Sequence, residues 1–195
     1  MLTYTISLLS KSFFYIITGL YNKVKLCFWG CNFGKHVSIR GNINLHSIGK
    51  LVIEDFVRIN SGKSNYVGGD MRTSFWVGKG AELRILKGAA ISNTTFVCLH
   101  SIIIEEDCFI GGGSQIYDTD FHQINAEDRV LGRGSVNGGP IRIGKRCFIG
   151  AGSLILKNVT IGEGSVIGAG SIVTKNIPSN QIWAGAPARF IKCIE

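Results

Sequence analysis

The stretch IGKRCF-IGAGSL-ILKNVT-IGEGSV-IGAGSI-VTKNIP, residues 143–178, decides the fold. Ile143, Ile149, Ile155, Ile161, Ile167 and Val173 fall at every sixth position, and Gly follows directly in four of the six repeats. A helix needs apolar spacings of three and four, and a half-buried strand alternates with period two. A period of six fits neither. It is the signature of a parallel β-helix, in which short strands end in turns and like residues stack in columns from coil to coil. Three strands make one triangular coil of about eighteen residues, which sets Ile143 beneath Ile161 and Ile149 beneath Ile167. The fifth position of each repeat must turn inward at the corner of a narrow prism, where only a compact side chain fits. It reads Cys147, Ser153, Val159, Ser165, Ser171 and Ile177, with the one bulky residue at the end.

Upstream the same spacing returns at Val77 and Leu83, at Ile85, Ile91 and Val97, and at Ile104, Ile110 and Ile116. Ala81, Ala89, Thr95, Cys108 and Ser114 stand in the small slots. Val37 with Ile43, and Ile53 with Ile59, are looser pairs at the same interval, and residues 60–74 read as a polar loop or distorted coil. Between Ile116 and Ile143 the period is broken by YDTDFHQINAEDRVLGRGSVNGGP. A segment thrown out of a rigid scaffold is where chemistry concentrates, because its ends are fixed while its side chains need not pack inside. GAGSIV and GGGSQI invite comparison with a nucleotide fingerprint, but they lack its strand, helix and downstream acid, and the repeat explains their glycines.

The chain of 195 residues carries a formal charge of +8, which asks for an acidic partner such as a phosphate-bearing molecule or an anionic membrane surface. Residues 1–50 hold six Lys or Arg and no Asp or Glu. The six cysteines include no CxxC pair, and Cys98, Cys108 and Cys147 fall in strand or small-slot positions, as free buried thiols in a reducing cytoplasm do. Leu2, Ile6, Leu9, Phe13, Ile16, Leu20, Val24 and Phe28 recur at helical period, interrupted by Lys11. A span wants about 18 uninterrupted apolar residues, and no small-residue cleavage site follows. Two readings of this helix stand: it lies in a membrane interface, or it caps the open end of the prism. Pro178 and Pro187 hold the tail extended. The chain divides into an amphipathic helical segment (1–33), an all-β parallel β-helix (34–178) with a protruding loop (117–142) where the active site is expected, and a C-terminal extension (179–195).

The repeats from Ile143, the loop YDTDFH and the ending IWAGAPARFIK together resemble the hexapeptide-repeat acyltransferases, especially the sugar and polysaccharide O-acetyltransferases akin to galactoside, maltose and colanic-acid acetyltransferases. The resemblance covers residues 77–192 well and the first third only in kind. It implies a left-handed β-helix assembled as a homotrimer, active sites between subunits, acetyl-CoA as donor and a loop histidine as general base. His122 is similar to that histidine by its place. Ala151 and Ala169 match positions whose backbone borders the pantetheine arm. Thr174, Lys175, Arg189 and Lys192 resemble residues near the adenosine and its 3′-phosphate. Phe148 stands where related enzymes often carry Trp.

Acetyl transfer to a hydroxyl needs a base to take the proton as oxygen attacks the thioester, and imidazole suits that task near neutrality. Asp118 and Asp120 either orient the imidazole or form turns. Asn93 is either a substrate or oxyanion contact or a turn residue of the repeat. The expected function is O-acetylation of a sugar hydroxyl of a surface polysaccharide (capsule, O-antigen or exopolysaccharide) or its precursor, in the cytoplasm, with possible contact to the inner face of the membrane and no role for nucleic acid. Drug acetylation is the alternative acceptor class. A zinc lyase of the γ carbonic anhydrase type needs three histidines at one site, and His36, His46, His100 and His122 offer no HxxxxH pair, so no metal is expected. A non-catalytic scaffold is the remaining rival.

Overall fold

The computed structural model describes residues 16–65 and 67–195; Leu2, Ile6, Leu9, Lys11 and Phe13 of the helical pattern lie outside them. The period of six is realised as a three-sided prism with a parallel sheet on each face. The first face stacks Asn32–Phe33, Lys50–Ile53, Glu82–Ile85, Ser101–Ile104, Ile141–Ile143 and Thr160–Ile161. The second stacks Ser38–Arg40, Arg58–Asn60, Ala90–Ser92, Phe109–Ile110, Phe148–Ile149 and Val166–Ile167. The third stacks Asn44–Ser47, Ser74–Val77, Thr95–Cys98, Gln115–Tyr117, Leu154–Leu156 and Ile172–Val173. Ile143 pairs with Ile161 and Ile149 with Ile167, as the coil length requires. This is the left-handed β-helix.

The core is a set of columns. Ile39, Ile59, Ile91, Ile110, Ile149 and Ile167 run up the second face, all buried. The small slots are buried too: Ala89, Cys108, Cys147 and Ser165 at one corner, Ser114, Ser153 and Ser171 at the next. Their polar atoms stay satisfied because each corner exposes carbonyls inward. Ser153 Oγ donates to Gly150 O at 2.7 Å, and the Cys108 thiol to Gly144 O at 2.9 Å.

In one coil the register differs from the sequence spacing. Phe96, not Val97, stacks between Phe75 and Ile116, and Thr94, not Thr95, fills the buried slot. The turn at Asn93, with φ of 43°, is one residue tighter than the repeat allows. Residues 60–74 leave the prism at the corner between the second and third faces. They form a 3-10 turn at Gly62–Ser64 and return where Thr73 bonds Ser61 Oγ (3.0 Å) and Asn60 O (2.8 Å). The tail joins the second face as a hairpin: Gln181–Ala184 pairs parallel with Val166–Ile167, and Arg189–Cys193 pairs antiparallel beside it.

At the other end, residues 16–28 form a helix, α1. It stops where Gly30 (φ 65°) takes the left-handed conformation and the Cys31 N–H reaches back to Leu26 O. Its buried face is Thr18, Asn22 and Leu26. Asn22 Nδ2 donates to Gly41 O at 2.7 Å while its Oδ1 accepts from the Ile43 N–H at 3.3 Å, and Lys25 Nζ donates to Ile43 O at 3.0 Å. These bonds satisfy first-coil backbone groups that no earlier coil can pair.

Candidate active site

The break in the repeat is a hairpin-like loop rooted at the corner between the third and first faces. Thr119 bridges Gly138, the Asp120 N–H donates to Asn137 O at 2.9 Å, and the Gly139 N–H donates to Asp118 O at 2.9 Å. Gly138 lies so close to the His100 ring that any side chain there would overlap it. At the tip is a short helix, α2 (Ala126–Leu131), with Asn125 Oδ1 accepting the Asp128 N–H and Gly132 closing it in the left-handed conformation. Arg129 Nη1 pins the tip by donating to Gln123 O (2.9 Å) and Ile124 O (3.0 Å).

His122 sits on the rising arm of this loop with its imidazole exposed and its N–H donating to Asp120 O at 2.7 Å. The residue before it, Phe121, has φ of 64°. A bulky side chain in the left-handed region costs on the order of 1–2 kcal/mol. The conformation is held by the Phe121 N–H on Thr119 Oγ1 (3.2 Å) and by its ring set edge-on to Tyr117, centroids 5.3 Å apart. Strain of this kind turns His122 outward at a fixed place instead of letting the arm collapse onto the prism.

The two acids do different work from orienting the imidazole within one protomer. Asp118 is fully buried, and its two oxygens accept the N–H groups of Leu99 (2.7 Å) and His100 (2.8 Å) on the coil beneath. It bolts the loop root to the prism, a turn role in place of a histidine partner. Burial, and then the Asp118 carboxylate, push the Cys98 thiol well above its ordinary range, so the sulfur stays protonated. Asp120 Oδ1 pairs with Lys157 Nζ at 2.5 Å, one coil further on. Lys157 and His100 therefore belong to the loop's foundations, and the sequence reading passed over both. The signal for Lys157 is its corner position one coil beyond the loop root.

Asn93 takes the turn position, one of its two readings. It is fully buried beneath the excursion of residues 62–72: Nδ2 donates to Gly69 O at 2.8 Å and Oδ1 accepts from Asn65 Nδ2 at 3.3 Å. The tip of that excursion rests on Gly112, where a side chain would strike Val67 O. Asn93 clamps this loop to the prism.

Ala151 and Ala169 are stacked on the corner between the second and third faces, the Gly170 N–H donating to Ala151 O at 2.8 Å. A side chain at Gly150 would run into the Ala169 backbone, so this edge is a smooth backbone rail beginning where the 62–72 excursion ends. Phe148 is half exposed on the second face in register with Phe109 and Val166. Thr174, Lys175, Arg189 and Lys192 are exposed at the C-terminal end of the prism, with Lys175 Nζ 5.6 Å from the centre of the Trp183 ring. His122 and the Ala151–Ala169 rail thus occupy opposite edges of the third face. Face one carries compensated ladders instead, Lys50 with Glu82 at 2.8 Å and Arg142 with Glu105 among them.

Fold and repeat together define a hexapeptide-repeat protein of the left-handed β-helix class: residues 101–116 and 140–175 match the family described as the hexapeptide repeat of succinyl-transferase. In particular, the chain is similar to a galactoside acetyltransferase solved in complex with coenzyme A, at 36% identity and a TM-score of 0.53 over 58% of this chain and 56% of that one. It is also similar to a maltose O-acetyltransferase from Clostridium difficile 630, at 25% identity and a TM-score of 0.51 over 85% of this chain and 67% of that one. A hexapeptide transferase family protein from Anaplasma phagocytophilum shares the fold at 22% identity, a TM-score of 0.61, and 85% and 80% coverage. The chain thus spans little more than half of the galactoside enzyme. No curated protein matches it.

Proposed function

We propose that this chain is an acetyl-CoA-dependent O-acetyltransferase acting on a sugar hydroxyl of a surface polysaccharide or its precursor. The observation that carries the reading is His122, held outward on a strained, bolted loop at one edge of a prism whose opposite edge is an open backbone rail ending among cations. Two edges of one face meet when copies pack side by side around an axis, as a homotrimer does. The rail of one protomer then lies against the His122 loop of the next, and the exposed Ile124, Val130 and Leu131 of the loop tip gain a neighbour to cover them.

In that cleft the imidazole takes the proton of the acceptor hydroxyl as its oxygen attacks the thioester carbonyl. The tetrahedral oxyanion collapses, the C–S bond breaks, and the imidazolium returns the proton to the CoA sulfur. No covalent enzyme intermediate is needed, because holding both substrates supplies much of the barrier reduction. Lys175, Arg189 and Lys192 meet the phosphates of CoA, Ala151 and Ala169 admit the pantetheine arm, and Phe148 is an aromatic wall. Six cysteines without a CxxC pair fit the cytoplasmic setting of this reading.

The test is labelled acetyl-CoA with a panel of sugar, glycan and drug acceptors, read by mass spectrometry, with thiol release followed in wild type and His122→Ala. The expected result is a glycan acetyl ester formed by wild type alone, with CoA still bound by the variant. Transfer confined to drug hydroxyls would move the acceptor class. A protein that binds no CoA would support the scaffold reading, and stoichiometric zinc in the purified protein would overturn the proposal.

A further inference from the structure

Helix α1 is amphipathic in the inverse sense. The side it turns to the prism includes the polar Thr18 and Asn22, both buried, while Ile16, Ile17, Leu20, Tyr21, Val24 and Phe28 face away from it. Val24 is 58% and Phe28 83% exposed, values ordinary for lysine and costly for side chains of this kind. Packing on the first coil therefore does not account for the apolar stripe. At 3.6 residues per turn, Lys23 and Lys25 fall on the two boundaries between the buried side and the apolar side. Lys23 is exposed, and Lys25 is half-buried with its Nζ 4.4 Å from the centre of the Tyr21 ring.

We propose that the outward face of α1 docks this protein on an anionic phospholipid bilayer. The helix lies in the plane of the interface, with Leu20, Val24, Ile17 and Phe28 among the acyl chains and Lys23 at the level of the headgroup phosphates, while Lys25 keeps its bond to Ile43 O at the other boundary. The charge pattern selects this occupant. An apolar stripe bordered on both sides by lysines matches the apolar-below, anionic-above layering of a lipid surface, and no acid occurs before Glu54 to oppose it. A second copy of the helix would bring lysines against lysines. No described helix is long and apolar enough to cross a membrane; with its Thr18, Asn22 and Leu26 side held on the first coil, α1 meets the bilayer by its outward face. The inference is independent of acyl transfer: it rests on which side of α1 the prism uses, and it would place the enzyme beside acceptors carried on membrane lipids.

The experiment is flotation of the full chain with vesicles of phosphatidylcholine alone and of phosphatidylcholine with phosphatidylglycerol, at low and high salt. Wild type, Val24→Asp, Phe28→Asp and Lys23→Glu are compared, with molar mass by light scattering and thiol release from acetyl-CoA measured on the same preparations. Wild type is expected to float with anionic vesicles and to be released by salt. Each Asp variant is expected to partition about tenfold less, and Lys23→Glu to bind less as well, with thiol release unchanged without lipid. Because Val24, Phe28 and Lys23 are exposed, the variants should fold. A folded wild type that fails to float would overturn the proposal. So would flotation indifferent to Val24→Asp and Phe28→Asp, or a fall in molar mass in the Asp variants, which would assign the face to another copy. Absence of acetyl transfer in every preparation would touch only the enzymatic reading, since flotation is scored separately.

Discussion

Asp118 and His122 lie four residues apart and answer to opposite physics. A carboxylate with no solvent access is tolerated only when its lone pairs are used, and both Asp118 oxygens accept backbone N–H groups from the coil beneath. Asp118→Ala strands two buried amides, and we expect a loss of about 3 kcal/mol, read as a lower urea midpoint. His122 is exposed, and the role proposed for it is to take the proton of the acceptor hydroxyl. His122→Ala should leave the urea midpoint unchanged and lower acetyl transfer by about 10²-fold or more, measured at saturating acetyl-CoA. A variant that loses activity and stability together would place His122 in the scaffold instead.

At the scale of elements, the loop functions as a unit because its root is overdetermined. The Thr119–Gly138 bridge, the Asp120–Lys157 pair and the close approach of Gly138 to His100 all act within a few residues. Gly138→Ala sets a methyl group 2.8 Å from the Asp118 backbone oxygen as well as into the exposed His100 ring, so the root must shift and carry His122 with it. We expect kcat for acetyl transfer to fall about tenfold or more while CoA affinity, set at the other edge of the third face, holds; isothermal titration and steady-state rates separate the two. The helix α1 has an equally local dependence. Asn22→Ala leaves Gly41 O and the Ile43 N–H unpaired under the cap, at a cost of about 1–3 kcal/mol, measurable by urea denaturation.

The whole molecule sets the remaining behaviour. Its core holds thiols as if they were methyl groups: Cys98 is pushed up by burial and the nearby carboxylate, and Cys31 by burial. The folded chain therefore keeps protons that the unfolded chain releases. With fewer protons bound in the unfolded state, stability must fall as pH rises. It should be fully present below the ordinary thiol range near about pH 8.5 and decline above it. Urea midpoints between pH 7 and 10.5 test this, and a Cys98→Ala variant should decline less steeply. In light scattering, the assembly proposed for the site predicts three times the 21.2 kDa chain mass. A monomer that transfers acetyl groups would refute the shared cleft.

How much of this was legible in the chain follows from where the period holds. Six-residue spacing determined the prism, its columns and its small slots, because stacking forces the same inward requirement on every coil; the break at residues 117–140 then marked the loop and His122. The spacing misplaced Val97 and Thr95 because one turn at Asn93 runs a residue short, and a period carries no record of a turn's φ. The partners of Asp118, Asp120 and Asn93 were decided only by tertiary structure. Leu99, Lys157 and Gly69 are brought to them by coiling and by the 62–72 excursion, from 19, 37 and 24 residues away. The same holds for α1. Its sequence determined an apolar stripe and flanking lysines, but not that the prism would bind the polar side through Asn22 and leave the stripe facing outward, because the unpaired backbone of a first coil attracts a hydrogen-bonding side chain more than an apolar one.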